Sequence, residues 1–126
     1  MTSLTATFTV DLTPAEILTG AADCFDLVKA WSGALEGPSR GVMLTAGDPA
    51  SGSASYVATE LFEGSLDGRE GTLVLQQLGT MTDGDPTLQY VIAPGSGTGA
   101  LAGITGALMI GTIDDDGHHE VTIELT

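Results

Sequence analysis

Between Phe62 and Gly106 the chain meets a glycine every few residues, and the stretches between are rich in Val, Leu, Thr and Tyr. Phe62 to Gln76 carries Gly64, Gly68 and Gly71. Pro94 to Gly106 carries Gly95, Gly97, Gly99 and Gly103 before ending in glycine. Glycine supplies the positive φ of tight turns and the bends at barrel corners. Such spacing predicts many short strands joined by tight turns, in a small closed β-structure.

Period-two alternation supports this. Ala6, Phe8, Val10 and Leu12 share one face of the first segment, with Thr5, Thr7, Thr9 and Asp11 on the other. Val121, Ile123 and Leu125 repeat the pattern at the far end. This is the mark of a half-buried strand. Further strands are expected at Cys24 to Leu35, Gly41 to Ala46, Ser53 to Phe62, Gly71 to Met81, Thr87 to Ala93 and Gly106 to Ile113. Turn chemistry falls at Glu36 to Ser39, Ala46 to Gly52, Leu66 to Gly68, Thr82 to Pro86 and Asp114 to Gly117. One helical turn is expected over Thr13 to Thr19, with Thr13 as cap, Pro14 at the first position and Glu16 completing a capping box. About eight strands fit a closed antiparallel barrel, which leaves no sheet edge free and encloses room for side chains or one small ligand. The expected class is all-β: an eight-stranded antiparallel barrel with at most one short helix, as a single domain over residues 1–126.

Composition excludes several functions. Three basic residues face 17 acidic ones, for a net charge of −14. Nucleic acid and anionic membrane are poor partners, because binding phosphate takes clustered Lys and Arg. Acids on a solvated face instead favour solubility. The one cysteine, Cys24, has no internal partner, so a disulfide scaffold is excluded. The first residues lack a basic segment followed by an apolar run, and no stretch approaches a membrane span of about 20 residues. A cytoplasmic protein is expected.

The blocks Trp31 to Gly37, Ser55 to Glu60, Phe62 to Gln76 and Pro94 to Gly106 resemble a bacterial domain-of-unknown-function family grouped with the allene oxide cyclase-like barrels. The resemblance spans roughly residues 5–125. It implies an eight-stranded barrel with a cavity, and relatives that include cyclases and other cofactor-free enzymes acting on apolar substrates. Members of that family often carry a histidine where this chain has Gln77, so histidine-dependent proton transfer does not carry over.

Motifs for standard chemistries are weak. Gly97 to Ala102 matches a dinucleotide fingerprint in form, but Gly103 and Gly106 break the helix that would hold the pyrophosphate. Asp114, Asp115, Asp116, His118 and His119 suggest a metal loop. Adjacent histidines on extended backbone point to opposite sides, however, and a solvated hairpin turn explains the run. No metal or cofactor is expected. Cys24 has no basic neighbour in sequence to activate it and reads as a small buried hydrophobe.

The strand around Glu60 carries more. Tyr56, Ala58, Glu60 and Phe62 share a phase, so if the aromatics face the lumen, Glu60 does too. A carboxylate in an apolar cavity is a candidate acid or base, with Tyr56 a hydrogen-bond donor beside it. The alternatives are a Glu60 paired with Lys29 or Arg69, or lying at a wet rim. Lys29 falls within the apolar stripe of Phe25, Leu27 and Trp31. It is either a buried cation neutralising Glu60, a nucleophile, or a stem packed on the stripe with its ammonium reaching water. Trp31, Gln76 and Tyr90, with Lys29, complete the expected ligand contacts, with Gln77 an alternative to Gln76.

Three functions follow: a cofactor-independent cyclase or isomerase acting on a small hydrophobic molecule, a non-catalytic barrel binding such a molecule, or a structural module with a filled interior. Leu73 to Leu78 and Leu88 to Ile92 are apolar on both faces, so their outer side needs cover. A homo-oligomer, dimer or trimer, is expected.

Overall fold

The computed structural model describes residues 2–18 and 22–126. Its strands are β1 (Thr2–Leu18), β2 (Ala22–Gly33), β3 (Leu35–Asp48), β4 (Ser53–Leu66), β5 (Arg69–Thr82), β6 (Asp85–Ile92), β7 (Gly106–Ile113) and β8 (His119–Leu125). Each is antiparallel to the next, and β8 pairs with β1 to close an eight-stranded barrel. The helical segments among the described residues are two short 3₁₀ turns, Pro49–Ser51 and Gly99–Leu101.

Two Asp-Gly pairs build the tightest hairpins. Asp67 and Gly68 have φ of 53° and 81°, and Asp83 and Gly84 have φ of 51° and 78°. Positive φ at both central residues twists a two-residue turn in the sense of the strands it joins. These turns set the register of β4 on β5 and of β5 on β6, and the register sets which side chains enter the lumen.

Three local expectations fail. The helical turn over Thr13 to Thr19 is absent: Thr13 to Leu18 continue β1, with Pro14 opposite Phe25 of β2, and Thr19 lies outside the described residues. Pairing of β1 with β8 ends at Phe8–His119. Pro14 therefore sits where β1 is an edge, and a residue without an N–H is tolerated there. The turn over Glu36 to Ser39 is also absent. These residues lie inside β3, and the reversal comes earlier, at Gly33 with φ 106°. Cys24 is half-buried rather than a core residue.

The lumen is filled in one phase from each strand. Phe8, Leu27, Trp31, Leu35, Phe62, Leu73, Leu75, Tyr90, Ile92, Leu108 and Ile123 are all buried. One end is sealed. There Leu66, ahead of the β4–β5 turn, and Leu101, in the β6–β7 connection, are fully buried. The connection is stitched to β5 just past the point where pairing with β6 ends, at Leu75–Ile92. The Thr98 amide donates to the Thr72 carbonyl at 3.0 Å. The Val74 amide donates to Ser96 Oγ at 3.0 Å. The two glycine-bracketed leucines are thus the plug of the closed end. The opposite end, at the β3–β4 and β5–β6 hairpins, is the mouth.

The wall is uneven. β6 and β7 pair only through Val91–Ala107 and Ile92–Gly106. Towards the mouth their facing edges lie apart, and Leu88 stands at that gap with 38% of its surface exposed.

Truncating the plug tests this account. Leu101→Ala should cost about 2–5 kcal/mol through lost burial and a residual cavity, read from urea unfolding. A loss below about 1 kcal/mol would show that the connection is not part of the core.

Candidate functional site

Midway along the barrel the apolar lumen is interrupted by a set of polar side chains from four strands. Glu60 of β4 is 1% exposed and Lys29 of β2 is 3% exposed. Lys29 Nζ lies 2.8 Å from Glu60 Oε2. The ammonium also donates to Tyr90 Oη at 2.9 Å, and that phenol donates to Glu60 Oε2 at 3.0 Å. Ser39 Oγ of β3 donates to Glu60 Oε1 at 2.8 Å. Trp31 Nε1 donates to Ser39 Oγ at 3.0 Å. Both carboxylate oxygens are therefore engaged, as buried charge requires.

Aromatic rings wall the ammonium. Lys29 Nζ lies 4.3 Å from the Phe8 ring centroid and 4.9 Å from that of Tyr90. These distances allow cation–π attraction. On its own side Phe8 stacks on His119 with centroids 4.5 Å apart and the rings nearly parallel. Burial pushes the Lys29 ammonium below its ordinary range, although the Glu60 charge and hydrogen bond oppose the shift. Burial likewise pushes the Tyr90 phenol well above its ordinary range, and the Glu60 charge adds to it.

Toward the mouth, Tyr56 Oη donates to Gln77 Oε1 at 3.2 Å. The Tyr56 ring lies over Gly79, its cross-strand partner. A Cβ at that position would come within 2.3 Å of the ring. Gly79 thus makes room for the tyrosine. Burial raises the Tyr56 phenol, with a smaller contribution from the Glu60 charge. Above this layer opens a recess of about 700 Å³. Its lining includes Phe25, Met43, Tyr56, Met81, Leu88 and Ile110.

The structure thus brings Lys29, Trp31, Glu60 and Tyr90 together in one buried cluster, with Tyr56 on the mouth side of Glu60. Lys29 does not reach water, because its strand phase and Glu60 hold the ammonium in the lumen. Arg69 is exposed at the β4–β5 turn and takes no part in the cluster. Gln76 is not part of it either. It is exposed on the outer wall, 3.5 Å from Thr59 Oγ1, and Gln77 holds the inward position. The phase of β5 is carried by Leu73 and Leu75, which have the larger apolar side chains and take the inner face.

Ser39, Phe8 and Gln77 complete the cluster and its surroundings. Ser39 was hidden by the turn expected around Pro38. The signal that finds it is the hairpin itself: reversing at Gly33 sets Lys29 opposite Ser39 and Trp31 opposite Gly37.

Asp114, Asp116 and His118 place one ligand atom each within 4.8 Å of one another. Asp114 Oδ1 accepts from the Asp116 and His118 amides, each at 2.9 Å. These bonds hold the Asp114 carboxyl below its ordinary range, with the His118 amide the largest cause. They are the bonds of a tight turn, and the cluster is exposed.

Residues 4–125 match a family model described as a protein of unknown function, DUF3224. The chain belongs to the DUF3224 family. A solved DUF3224 structure from Shewanella oneidensis MR-1, also of unknown function, is 38% identical to it and superposes with a TM-score of 0.89. That match covers 100% of this chain and 96% of the other. The curated proteins contain no significant match to this DUF3224 chain. No helix among the described residues is long and apolar enough to cross a membrane.

The buried pair has a measurable cost. Lys29→Met should destabilise by about 3–5 kcal/mol near neutral pH, because it strands the Glu60 charge. Adding Glu60→Leu should recover most of that loss in urea unfolding. A double variant as unstable as the single one would assign the loss to packing instead.

The two tyrosines give a second check. The phenol of an unfolded chain ionises near 10.0, and in the folded barrel that of Tyr90 ionises above this value. Below pH 10 both states hold the proton and the shift contributes its full stability. As pH rises beyond that, the unfolded state alone loses the proton and stability falls. In an alkaline titration followed by tyrosinate absorbance, the Tyr90 signal should appear only together with unfolding. An ordinary titration of both tyrosines near pH 10 in the folded protein would overturn the assignment.

Proposed function

We propose that this chain is a binding barrel for a small, neutral, largely hydrophobic molecule held at its mouth. The recess of about 700 Å³ carries this reading. Small-molecule sites are concave, mostly apolar and furnished with a few polar groups. Phe25, Leu88 and Ile110 offer apolar contact, and Met43 and Met81 adapt to irregular shapes. The Tyr56 phenol, hydrogen-bonded to Gln77, supplies a polar contact in the recess. A net charge of −14 disfavours anions. The unpaired Cys24 fits a reducing, cytoplasmic setting.

Catalysis as a cofactor-independent cyclase or isomerase is the second reading, in line with the resemblance to the allene oxide cyclase-like barrels. One observation favours it: Tyr56 lines the recess while its carboxylate neighbour on β4, Glu60, lies deeper in the lumen. Against Glu60 as the proton-transfer group stand its three hydrogen-bond donors and its absence from the recess lining.

A neutral fluorescent probe, N-phenyl-1-naphthylamine, tests the binding reading. It should bind saturably at one site per chain, and Ala54→Trp, which fills the mouth, should weaken binding by at least about tenfold. Non-saturable binding, or binding indifferent to Ala54→Trp, would sink it. Native mass spectrometry of protein purified from cells should then reveal a co-purified compound. Recovery of that compound unchanged after incubation supports binding alone. Conversion that Tyr56→Phe abolishes without loss of binding supports catalysis.

A further inference from the structure

We propose that the gap between β6 and β7 is a second opening of the recess, and that the ligand is an elongated neutral chain, alkyl or isoprenoid. This chain runs from the recess through the gap into a groove on the outer wall. The inference rests on the binding reading above and adds the shape of the ligand to it.

The gap is built into the sequence. The β6–β7 ladder consists of Val91–Ala107 and Ile92–Gly106. Carried on toward the mouth, it would set Tyr90 opposite Leu108 and, two residues further, Leu88 opposite Ile110. Those pairs do not form. Pro86 lies in this stretch of β6 and has no amide to give to a ladder. β7 changes register against β8 between Ile110 and Ile113, and an irregularity of that kind bends a strand.

Two cavities meet here. Leu88 and Ile110 line the recess of about 700 Å³. Leu88 also lines a groove of about 660 Å³. On the outer wall that groove is bordered by Val57, Leu78, Val91 and Met109, each 40–52% exposed. It also touches lumenal Tyr90 and Leu108, the first residues beyond the ladder on either strand. The groove therefore meets the interior at the place where the wall is unpaired.

Charge and shape define the ligand. The chain has 17 acidic residues, yet none of the described residues lining the groove is charged. Its exposed polar side chains are Thr59, Gln76 and Gln89. Amides and hydroxyls can hydrogen-bond a hydroxyl, ester or amide, but they neutralise no charge. Exposed Asp23 is the one charged side chain among the described residues lining the recess, and it opposes an anion there. A compact molecule would fill the recess and leave the apolar borders of the groove in water. A chain that passes Leu88 covers both, and each methylene removed from water favours binding.

The test compares two neutral probes by fluorescence titration. All-trans-retinol is a stiff, elongated polyene alcohol, and N-phenyl-1-naphthylamine is compact. Val91→Glu and Met109→Glu charge the groove at residues that do not line the recess. Each should weaken retinol by at least about tenfold and change N-phenyl-1-naphthylamine by less than about twofold. Val28→Glu, on the exposed wall of β2, should change neither. If circular dichroism shows that a glutamate variant fails to fold, Val91→Asn and Met109→Gln carry the same expectation with a smaller loss. Retinol binding that the groove variants leave unchanged would overturn the proposal, as would retinol binding that Val28→Glu weakens equally. A barrel that binds N-phenyl-1-naphthylamine but not retinol would overturn it and leave the binding reading standing. Binding of neither probe would remove both.

Discussion

The contact between Lys29 and Glu60 in the middle of the barrel is the interaction that the rest of the structure accommodates. Two opposite charges buried in an apolar lumen are tolerated only when the remaining polar atoms are met as well. Meeting them takes Ser39 from β3, Tyr90 from β6 and, through Ser39, Trp31 from β2. A slip of one residue in any of these strands would turn its contribution to the outside. The polar cluster therefore tolerates one set of strand registers, whereas leucines alone would accept several. The Asp-Gly turns and the glycine-rich connection are what hold those registers.

That arrangement divides the lumen into three zones along its axis. Leu66 and Leu101 close one end. The charged cluster with its aromatic wall of Phe8, Trp31 and Tyr90 fills the middle. Tyr56, Gln77 and Gly79 form the transition to an open mouth lined by Met43, Met81 and other apolar side chains. The barrel is neither a filled structural plug nor an empty vessel. It is packed below the cluster and open above it, so anything entering the mouth meets Tyr56 before it meets the buried Lys29–Glu60 pair.

Much of this was readable from residue order. Alternation put Tyr56, Ala58, Glu60 and Phe62 on one face, and Phe8 with Ala6, Val10 and Leu12 on another, but left open which face turns inward; the barrel turns Phe8, Ala58, Glu60 and Phe62 into the lumen. The Asp-Gly pair after Leu66 announced a corner. The readings that failed did so where two signals competed. Thr13, Pro14 and Glu16 carry a helix-capping pattern, but pairing with β2 outweighs it, since one turn of helix gains little by itself. Pro38 suggested a turn and so concealed Ser39. On β5 both faces are apolar around Gln76 and Gln77, and alternation cannot choose between adjacent glutamines when each has leucines in phase. Lys29 lay in an apolar stripe that a snorkelling side chain would also satisfy. Only the cross-barrel partner on β4, distant in sequence, decides that its ammonium turns inward.

Pairing of the first strand with the last has a consequence for biosynthesis. β1 finds its second neighbour only when β8 is available, and Val121, Ile123 and Leu125 bring three buried side chains with them. As the chain is made, the β2 to β6 meander can form by local hairpins, but the ring stays open and one side of its lumen stays wet. Closure is a long-range event of high contact order, and it comes late. During that interval the half-made barrel exposes the edge of β1 and the lumenal side chains. Asp11 lies on β1 itself, just past the Thr2–Phe8 stretch that β8 covers, and its charge works against two nascent chains pairing edge to edge.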